Sequence, residues 1–418
     1  MTPEQATRAD NPVVELIIDD VAYGGRGVGR HEGCAVFVPG VLRGERVRAR
    51  IAKAHPRFME AELASVLESS SDRIEPVCPL AVRALDAAAA PCPACPGCAY
   101  QHASYDSEVR EKNQQLDALL ERLGKLAGMQ RPPARPAPRP LGYRNKIVLH
   151  PDLAGATPRL GYVAADNRTV VPIAHCPLAV PKINALLSDT LADAELMGSL
   201  EPRDRVTLRH TETDGALAWT GRARGRLGPF HEQTAFGEFF VPADSFWQVN
   251  PAVGNELLQA VQALVEERAP RQVADLYCGV GAFAIVAALS GAPHVLGVDS
   301  DRQAVQAAQT NAVDRDLDGV EFRVNQVDSV AGDVLAALPA DRALVVLDPP
   351  RRGLGKPVVR ALATHRPRTV VYISCAPDTL ARDLNRLCDQ AYRLHSCRVL
   401  DMFPRTASFE VLAVLEAT

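Results

Sequence analysis

Residues 272–283 read QVADLYCGVGAF: a short apolar run that stops on Asp275, then Tyr277, Cys278 and the glycines Gly279 and Gly281. The run has the length of a buried strand. Glycines directly after it let the backbone turn tightly and approach a ligand closely. Similar runs follow at 294–300 (HVLGVDS), 343–350 (ALVVLDPP) and 369–375 (TVVYISC), separated by helix-like stretches such as RQAVQAAQTNAVD and PDTLARDLNRLCD. Apolar strands alternating with helices define a parallel, doubly wound α/β sheet. VGNELLQAVQALVEER, at 253–268, reads as an amphipathic helix leading into it. The chain ends in two strand-like runs, YRLHSCRVLD and SFEVLAVLEA, joined only by MFPRTA. A link this short cannot make a parallel crossover, so the two are expected to pair antiparallel at the end of the sheet.

Outward from this region, 418 residues exceed one ordinary domain. A composition of 47% hydrophobic and 23% charged residues excludes wholesale disorder. No apolar run reaches the roughly 18 residues of a membrane helix, and MTPEQATRADNP has no apolar signal core, so a cytoplasmic protein is expected. Residues 13–66 alternate short β-rich runs with glycine turns, as a small OB-like β-barrel would. Beyond a cysteine cluster, a polar helix is expected from Ser104 to Leu126, then the proline-rich linker RPPARPAPRP, then the strand-like NKIVLH, RLGYV, TVVPI and RVTLRH. The expected division is 10–72, 73–240 and 241–418.

The formal net charge of −4 excludes a uniformly basic coat, but residues 21–57 carry a local net of +6 and residues 131–175 one of +5. Basic faces in a mildly acidic chain suit a polyanion. Arg26, Arg30, Arg43, Arg135, Arg139, Arg144 and Lys146 are the candidates for the anionic groups of such a partner. Phe58, Tyr100 and Phe240 read first as core, with base stacking as the alternative. The ten cysteines lie at 34, 78, 92, 95, 98, 176, 278, 375, 388 and 397. Without an export signal, a thiolate-bound metal or cluster is the better reading of the four between Cys78 and Cys98.

Three strand ends carry chemistry. Asp299 closes the second strand, where a carboxylate accepts the hydroxyls of a ribose. With the glycine loop, this resembles the S-adenosylmethionine (AdoMet) site of class I methyltransferases. Asp348 opens the string D-P-P-R-R-G and points into the crevice where open α/β sheets bind ligands. Cys375 sits at a strand tip ahead of a helix N-terminus, whose partial positive charge favours thiolate. Glu410 begins the last strand. A thiolate with a carboxylate base suits methylation of carbon 5 of uracil, which needs a nucleophile at carbon 6 before it can attack a methyl group.

Taken in order, DLYCGVGAF, LDPPRRGL, YISCAPDTLARDL and DMFPRTASFE resemble the RNA uracil-5-methyltransferases of the TrmA and RlmD type. Phe246-Trp-Gln248-Val-Asn250-Pro251 is similar to that family's F-x-Q-x-N segment, and the N-terminal module resembles a TRAM domain. Cys78-Pro79, Cys95-Pro-Gly-Cys98 and His175-Cys176-Pro177 resemble the iron–sulfur segment of the branch that acts on 23S rRNA. The resemblance implies a multidomain protein with a TRAM barrel, a β-rich central domain carrying the cysteines and a class I methyltransferase domain. It implies Cys375 as nucleophile and Glu410 as base, with Gln248, Tyr277, Gly279, Gly281, Asp299 and Asp348 around AdoMet. Cys78, Cys95, Cys98 and Cys176 would hold a 4Fe-4S cluster, zinc being the alternative that C-x-x-C spacing permits. The expected enzyme is a monomer acting on 23S rRNA. The alternatives are a tRNA uracil-5-methyltransferase, a methyltransferase acting on another atom, and a non-catalytic RNA-binding assembly factor. The chain departs from the family pattern at Ala376 (usually Asn), Ser408 (His), Pro96 (Gly) and Ala282 (Asn), and an Ala-rich insert brings Cys92 as an extra candidate ligand.

Overall fold

The computed structural model describes residues 11–86, 93–155, 157–223 and 227–418. Cys92 lies outside the described residues. The first six strands are β1 (Val13–Ile17), β2 (Asp20–Ala22), β3 (Arg26–His31), β4 (Cys34–Pro39), β5 (Arg46–Ala54) and β6 (Phe58–Glu68), in the order β1-β5-β6-β4-β3-β2. The two edges, β1 and β2, are consecutive in the chain, so the sheet curls into a barrel. Alternation turns Leu16, Val36, Val38, Val47 and Leu63 inward.

The central elements are α1 (Tyr105–Arg122), β7 (Lys146–Asp152), β8 (Arg159–Val163), β9 (Val170–Pro172), α2 (Pro181–Ala192), α3 (Ala194–Ser199), β10 (Val206–Thr211) and β11 (Gly215–Thr220). The five strands form one antiparallel sheet, β11-β10-β7-β8-β9. Helix α1 starts on Ser104, whose hydroxyl accepts from the Ser107 N–H at 3.3 Å. It ends four residues before the expected Leu126, because Gly124 is a poor helix former and Lys125 takes a left-handed φ of 53°. A hairpin of β12 (Phe230–Thr234) and β13 (Gly237–Val241) follows.

The C-terminal part runs α4 (Pro251–Arg268), β14 (Gln272–Leu276), α5 (Ala282–Leu289), β15 (His294–Asp299), α6 (Arg302–Val313), β16 (Val320–Val324), α7 (Val327–Ala336), β17 (Ala343–Leu347), α8 (Lys356–His365), β18 (Thr369–Ser374), α9 (Pro377–Gln390), β19 (Tyr392–Leu400) and β20 (Glu410–Ala417). Its seven strands are ordered β16-β15-β14-β17-β18-β20-β19. Strand β20 alone is antiparallel to its neighbours, inserted between β18 and β19. The multidomain arrangement and the doubly wound sheet expected from the sequence are the ones the chain adopts. Among the described residues no helix is long and apolar enough to cross a membrane.

Helix α1 belongs to the central region but packs Leu116, Leu119 and Leu120 into the core on one face of the C-terminal sheet. A buried charge network tightens this junction. Lys112 Nζ donates to Glu108 Oε1 (2.7 Å), to Asp401 Oδ1 (2.7 Å) and to the Phe403 carbonyl (3.1 Å). The Tyr105 hydroxyl donates to Asp401 Oδ2 at 2.9 Å, and Glu108 accepts from the Arg405 N–H at 2.6 Å. Lys112 and Asp401 are both fully buried. Removing one partner of such a pair strands the other charge away from water. Lys112→Ala should therefore cost about 3–5 kcal/mol, read as a lowered denaturation midpoint of the full chain. An unchanged midpoint would show that water replaces the ammonium.

Candidate active site

The loop after β14 is shaped by backbone constraints. Tyr277 holds a left-handed φ of 71° and Gly281 one of 81°. A Cβ on Gly281 would stand 2.7 Å from Phe322 Cζ and 2.9 Å from Ala308 Cβ, so only glycine lets α5 start here. Asp275 is buried and accepts from the Ala284 N–H at 3.0 Å, which ties the strand end to the first turn of α5. Burial pushes its carboxyl up to about 8. Asp299 Oδ2 accepts from the Gly279 N–H at 2.9 Å, so the second strand end holds the glycine loop in place. Above this loop lies a cavity lined by Phe246, Gln248, Tyr277, Gly279, Phe283 and Asp348. The Gln248 Oε1 atom is buried without a hydrogen-bond partner, and Phe246 is 69% exposed at the cavity wall.

The nucleophile and base candidates meet through strand register. In the β18–β20 pair, Ile373 stands opposite Leu412 and Ser374 opposite Val411. Continued by one step, that register leads to Cys375 and Glu410, and the Glu410 charge acts on the Cys375 thiol. Directly opposed residues on antiparallel strands have Cβ atoms about 4.5–5.5 Å apart. Cys375 is half-buried at the tip of β18, and α9 starts at Pro377 without a side-chain cap. Burial pushes its thiol up, the Glu410 and Asp348 charges push it further, and Arg351 opposes them by charge and hydrogen bond. Glu410 is 2% exposed. Burial first, and then the Asp348 charge, hold its carboxyl well above the usual range, with Arg351 pulling the other way. Asp348, half-buried at the exit of β17, is raised to about 7 by burial and by Asp299.

The loop 401–409 that delivers Glu410 is fastened on several sides. Ala99 and Tyr100 donate their N–H groups to the Arg405 carbonyl at 2.8 and 3.1 Å. The Arg405 guanidinium donates to the Ala103 carbonyl at 2.7 Å, and the Tyr143 hydroxyl to the Pro404 carbonyl at 3.0 Å. Asn250 donates to the Met402 carbonyl at 3.2 Å. Arg405 itself sits at φ 67°, a strained value for a residue with a side chain.

Cys78, Cys95, Cys98 and Cys176 line one separate cavity of about 210 Å³. Gln101 Nε2 donates to Cys98 Sγ at 3.5 Å, and Asn184 of α2 clasps the backbone of Cys176 (2.8 and 3.0 Å). Among the described residues, no group of three or more His, Cys, Asp or Glu is gathered for a single metal ion.

Several expected phosphate contacts are already committed within the protein. Arg43 pairs with Asp20 (2.6 Å) and Glu111 (3.1 Å), joining the barrel to α1. Arg26 pairs with Glu60 (3.3 Å) and Arg135 with Glu256 (3.0 Å). Arg144 lines the cysteine cavity, and burial lowers the Lys146 ammonium pKa. Arg30 and Arg139 are exposed. Tyr100 is core, with its hydroxyl accepting from Gln115 at 2.7 Å. Phe58 stacks on His55, and Phe240 packs edge-on against His231. The reading from sequence missed Arg351 beside the thiol and Phe246 at the cavity wall. Both lay in quoted motifs, but a motif does not say which side chain turns toward the site.

The family model for tRNA (Uracil-5-)-methyltransferase matches residues 237–418, and that for the TRAM domain matches residues 11–64. A protein from Streptomyces coelicolor described as an uncharacterized RNA methyltransferase is 32% identical over 96% of this chain and 92% of its own. Another so described, from Halalkalibacterium halodurans, is 28% identical over 100% of this chain and 99% of its own. The crystal structure of Pyrococcus abyssi tRNA (uracil-54, C5)-methyltransferase in complex with S-adenosyl-L-homocysteine superposes with a TM-score of 0.71 at 22% identity, covering 96% of this chain and 100% of that one. With its fold and these relatives, the chain belongs to the tRNA (uracil-5-)-methyltransferase family and is an RNA methyltransferase.

Arg351 is the cation that holds the Cys375 thiol down. Arg351→Gln should raise the thiol's apparent pKa and slow iodoacetamide alkylation of Cys375 at neutral pH by roughly threefold or more. The check is peptide mass spectrometry across a pH series. An unshifted profile would leave Arg351 without influence on the thiol.

Proposed function

We propose that the protein transfers the methyl group of AdoMet to carbon 5 of a uridine in RNA, with Cys375 as nucleophile and Glu410 as base. What supports this reading is that Asp348 lines the glycine-loop cavity and its charge acts on both Cys375 and Glu410, which stand at the ends of the paired strands β18 and β20. The residues around that cavity fit AdoMet. Gln248 has an unpartnered buried oxygen, Gly281 admits no side chain, and Asp299 and Asp348 end the two strands that flank β14. Gln248, Tyr277, Gly279, Asp299 and Asp348 would hold it, and bound AdoMet supplies an electrophilic methyl on a cationic sulfur.

In this reading Cys375 Sγ adds to carbon 6 of uracil. The electron pair displaced from the C5–C6 double bond lets carbon 5 take the methyl group, whose bond to the donor's cationic sulfur would break to leave a neutral thioether. Glu410 then removes the proton from carbon 5, the double bond re-forms and the Cys375 sulfur leaves. The raised Glu410 carboxyl is suited to hold that proton near neutral pH. Phe246, exposed at the cavity wall, offers a ring face to a base that has left its stack. The working division keeps residues 10–72 as the RNA-binding barrel, 73–240 as the central domain and 241–418 as the transferase.

Cys78, Cys95, Cys98 and Cys176 would hold a 4Fe-4S cluster, because a four-thiol donor set around a single cavity is the ligand chemistry of such clusters. The substrate in this reading is 23S rRNA, and the enzyme a cytoplasmic monomer. A tRNA substrate is the second reading: a protein named for tRNA modification shares the fold across nearly the full chain, so architecture alone does not select the RNA.

RNA containing 5-fluorouracil should trap wild-type protein as a covalent adduct and leave Cys375→Ser free. Absence of an adduct while RNA binds would refute the covalent route. Glu410→Gln should still form the bond to uridine RNA but release product slower by a factor on the order of 10². The wild-type release rate should rise with pH through a pKa above the ordinary carboxylate range, a limb absent from the variant. Prompt release by Glu410→Gln would remove it from the base role. Anaerobically purified protein should carry about four iron and four sulfide per chain, and stoichiometric zinc would replace the cluster assignment.

A further inference from the structure

The barrel reaches the reactive centre. Between β2 and β3 the chain turns through Tyr23, Gly24 and Gly25, and both glycines have positive φ (101° and 79°). The turn is pressed onto the rest of the molecule. A Cβ on Gly25 would lie 2.7 Å from Ala99 Cβ, and Gln115 of α1 donates to the Val21 and Ala22 carbonyls at 3.1 and 3.2 Å. This seating drives Tyr23 into the C-terminal core. Its ring meets Phe409 edge-on, centroids 5.8 Å apart and planes at 82°, one residue before Glu410. The titratable groups that act on its phenol are Asp378 of α9, Arg351, Cys375 and Glu410, all from the C-terminal part of the chain. Burial, with Asp378 behind it, raises the phenol to about 12, so it remains an O–H donor at neutral pH.

On this ground, and resting on the uracil-5 reading above, we infer that Tyr23 is a wall of the uridine pocket supplied by the barrel, its O–H donating to an acceptor oxygen of the target nucleotide. The ring is fixed by Phe409 on one side and by the clamped turn on the other. The hydroxyl is the part left to meet substrate. The barrel then does two things: it binds RNA, and it completes the site in which the flipped base reacts. Productive chemistry requires the barrel to be seated, because an unseated barrel takes the phenol away with it.

The test is Tyr23→Phe in the full chain, which keeps the ring and its contact with Phe409 and removes one oxygen. Adduct formation with a 5-fluorouridine-substituted 23S rRNA transcript, and with a tRNA transcript in parallel, is timed against RNA affinity from filter binding. The expected result is adduct formation slowed about tenfold, with RNA affinity within about twofold of wild type and an unchanged melting temperature. A wild-type adduct rate in Tyr23→Phe would overturn the assignment. So would a loss of RNA affinity that accounts for the whole defect, since that describes a remote RNA contact. If wild-type protein itself forms no adduct with either RNA, the uracil-5 reading falls first and this one with it.

Discussion

The reactive centre depends on the register of one antiparallel strand pair. Strand β20 enters between β18 and β19 against the direction of the other strands, and that reversal brings its first residue, Glu410, to the end of β18 where Cys375 follows. Side chains alternate faces along a strand, so a slip of one residue would turn Glu410 to the other side of the sheet. The register is secured by the apolar pattern itself. Val411, Ala413 and Leu415 pack into one core layer with Tyr372 and Val370 of β18, and a one-residue slip would turn all three away from it. Catalytic geometry and core packing are therefore one constraint.

Register alone would leave the nine-residue link between β19 and β20 free to move the base. The chain spends buried polar groups to prevent this. Lys112, Glu108, Asp401 and Tyr105 form a closed set of charge-assisted bonds between α1 and the link. Replacing such a network by apolar side chains is often neutral or stabilising in other proteins, so its retention points to specificity of position. The backbone just beyond Cys98 also donates to the Arg405 carbonyl. The segment that carries the cysteines is thus mechanically continuous with the link that carries Glu410, through two peptide groups.

The C-terminal fold was legible because parallel strands buried on both faces read as continuous apolar runs, and the ends of those runs are where ligands bind. Asp275, Asp299, Asp348 and Cys375 each stand at such an end. The antiparallel strand was legible from the short link before it. Helices α2 and α3 and the β12–β13 hairpin were not: each helix or strand is short, and too few turns or alternations pass for a period to stand out. The role of Arg43 was hidden for another reason. A cation in a basic segment looks like a phosphate ligand until the fold brings Glu111, distant in sequence, against it. Tyr23 belongs to the same class. Only docking of the barrel puts it beside residues more than three hundred positions away.

The electrostatics explain why so much of the molecule surrounds two side chains. Burial pushes Cys375, Glu410 and Asp348 toward their neutral forms; the Asp348 charge adds to this at the first two and Asp299 at the third, while Arg351 opposes it at Cys375 and Glu410. Acids in such surroundings favour their protonated forms until further positive charge or hydrogen bonding is supplied. In the proposed mechanism, a protonated Cys375 thiol does not react with the wrong partner, and becomes competent only when a cationic methyl donor and the Glu410 carboxylate complete the set. Such a latch needs each added group to arrive in a defined place. Rigidity of the glycine loop, the braced link and the docked barrel turn is what defines those places.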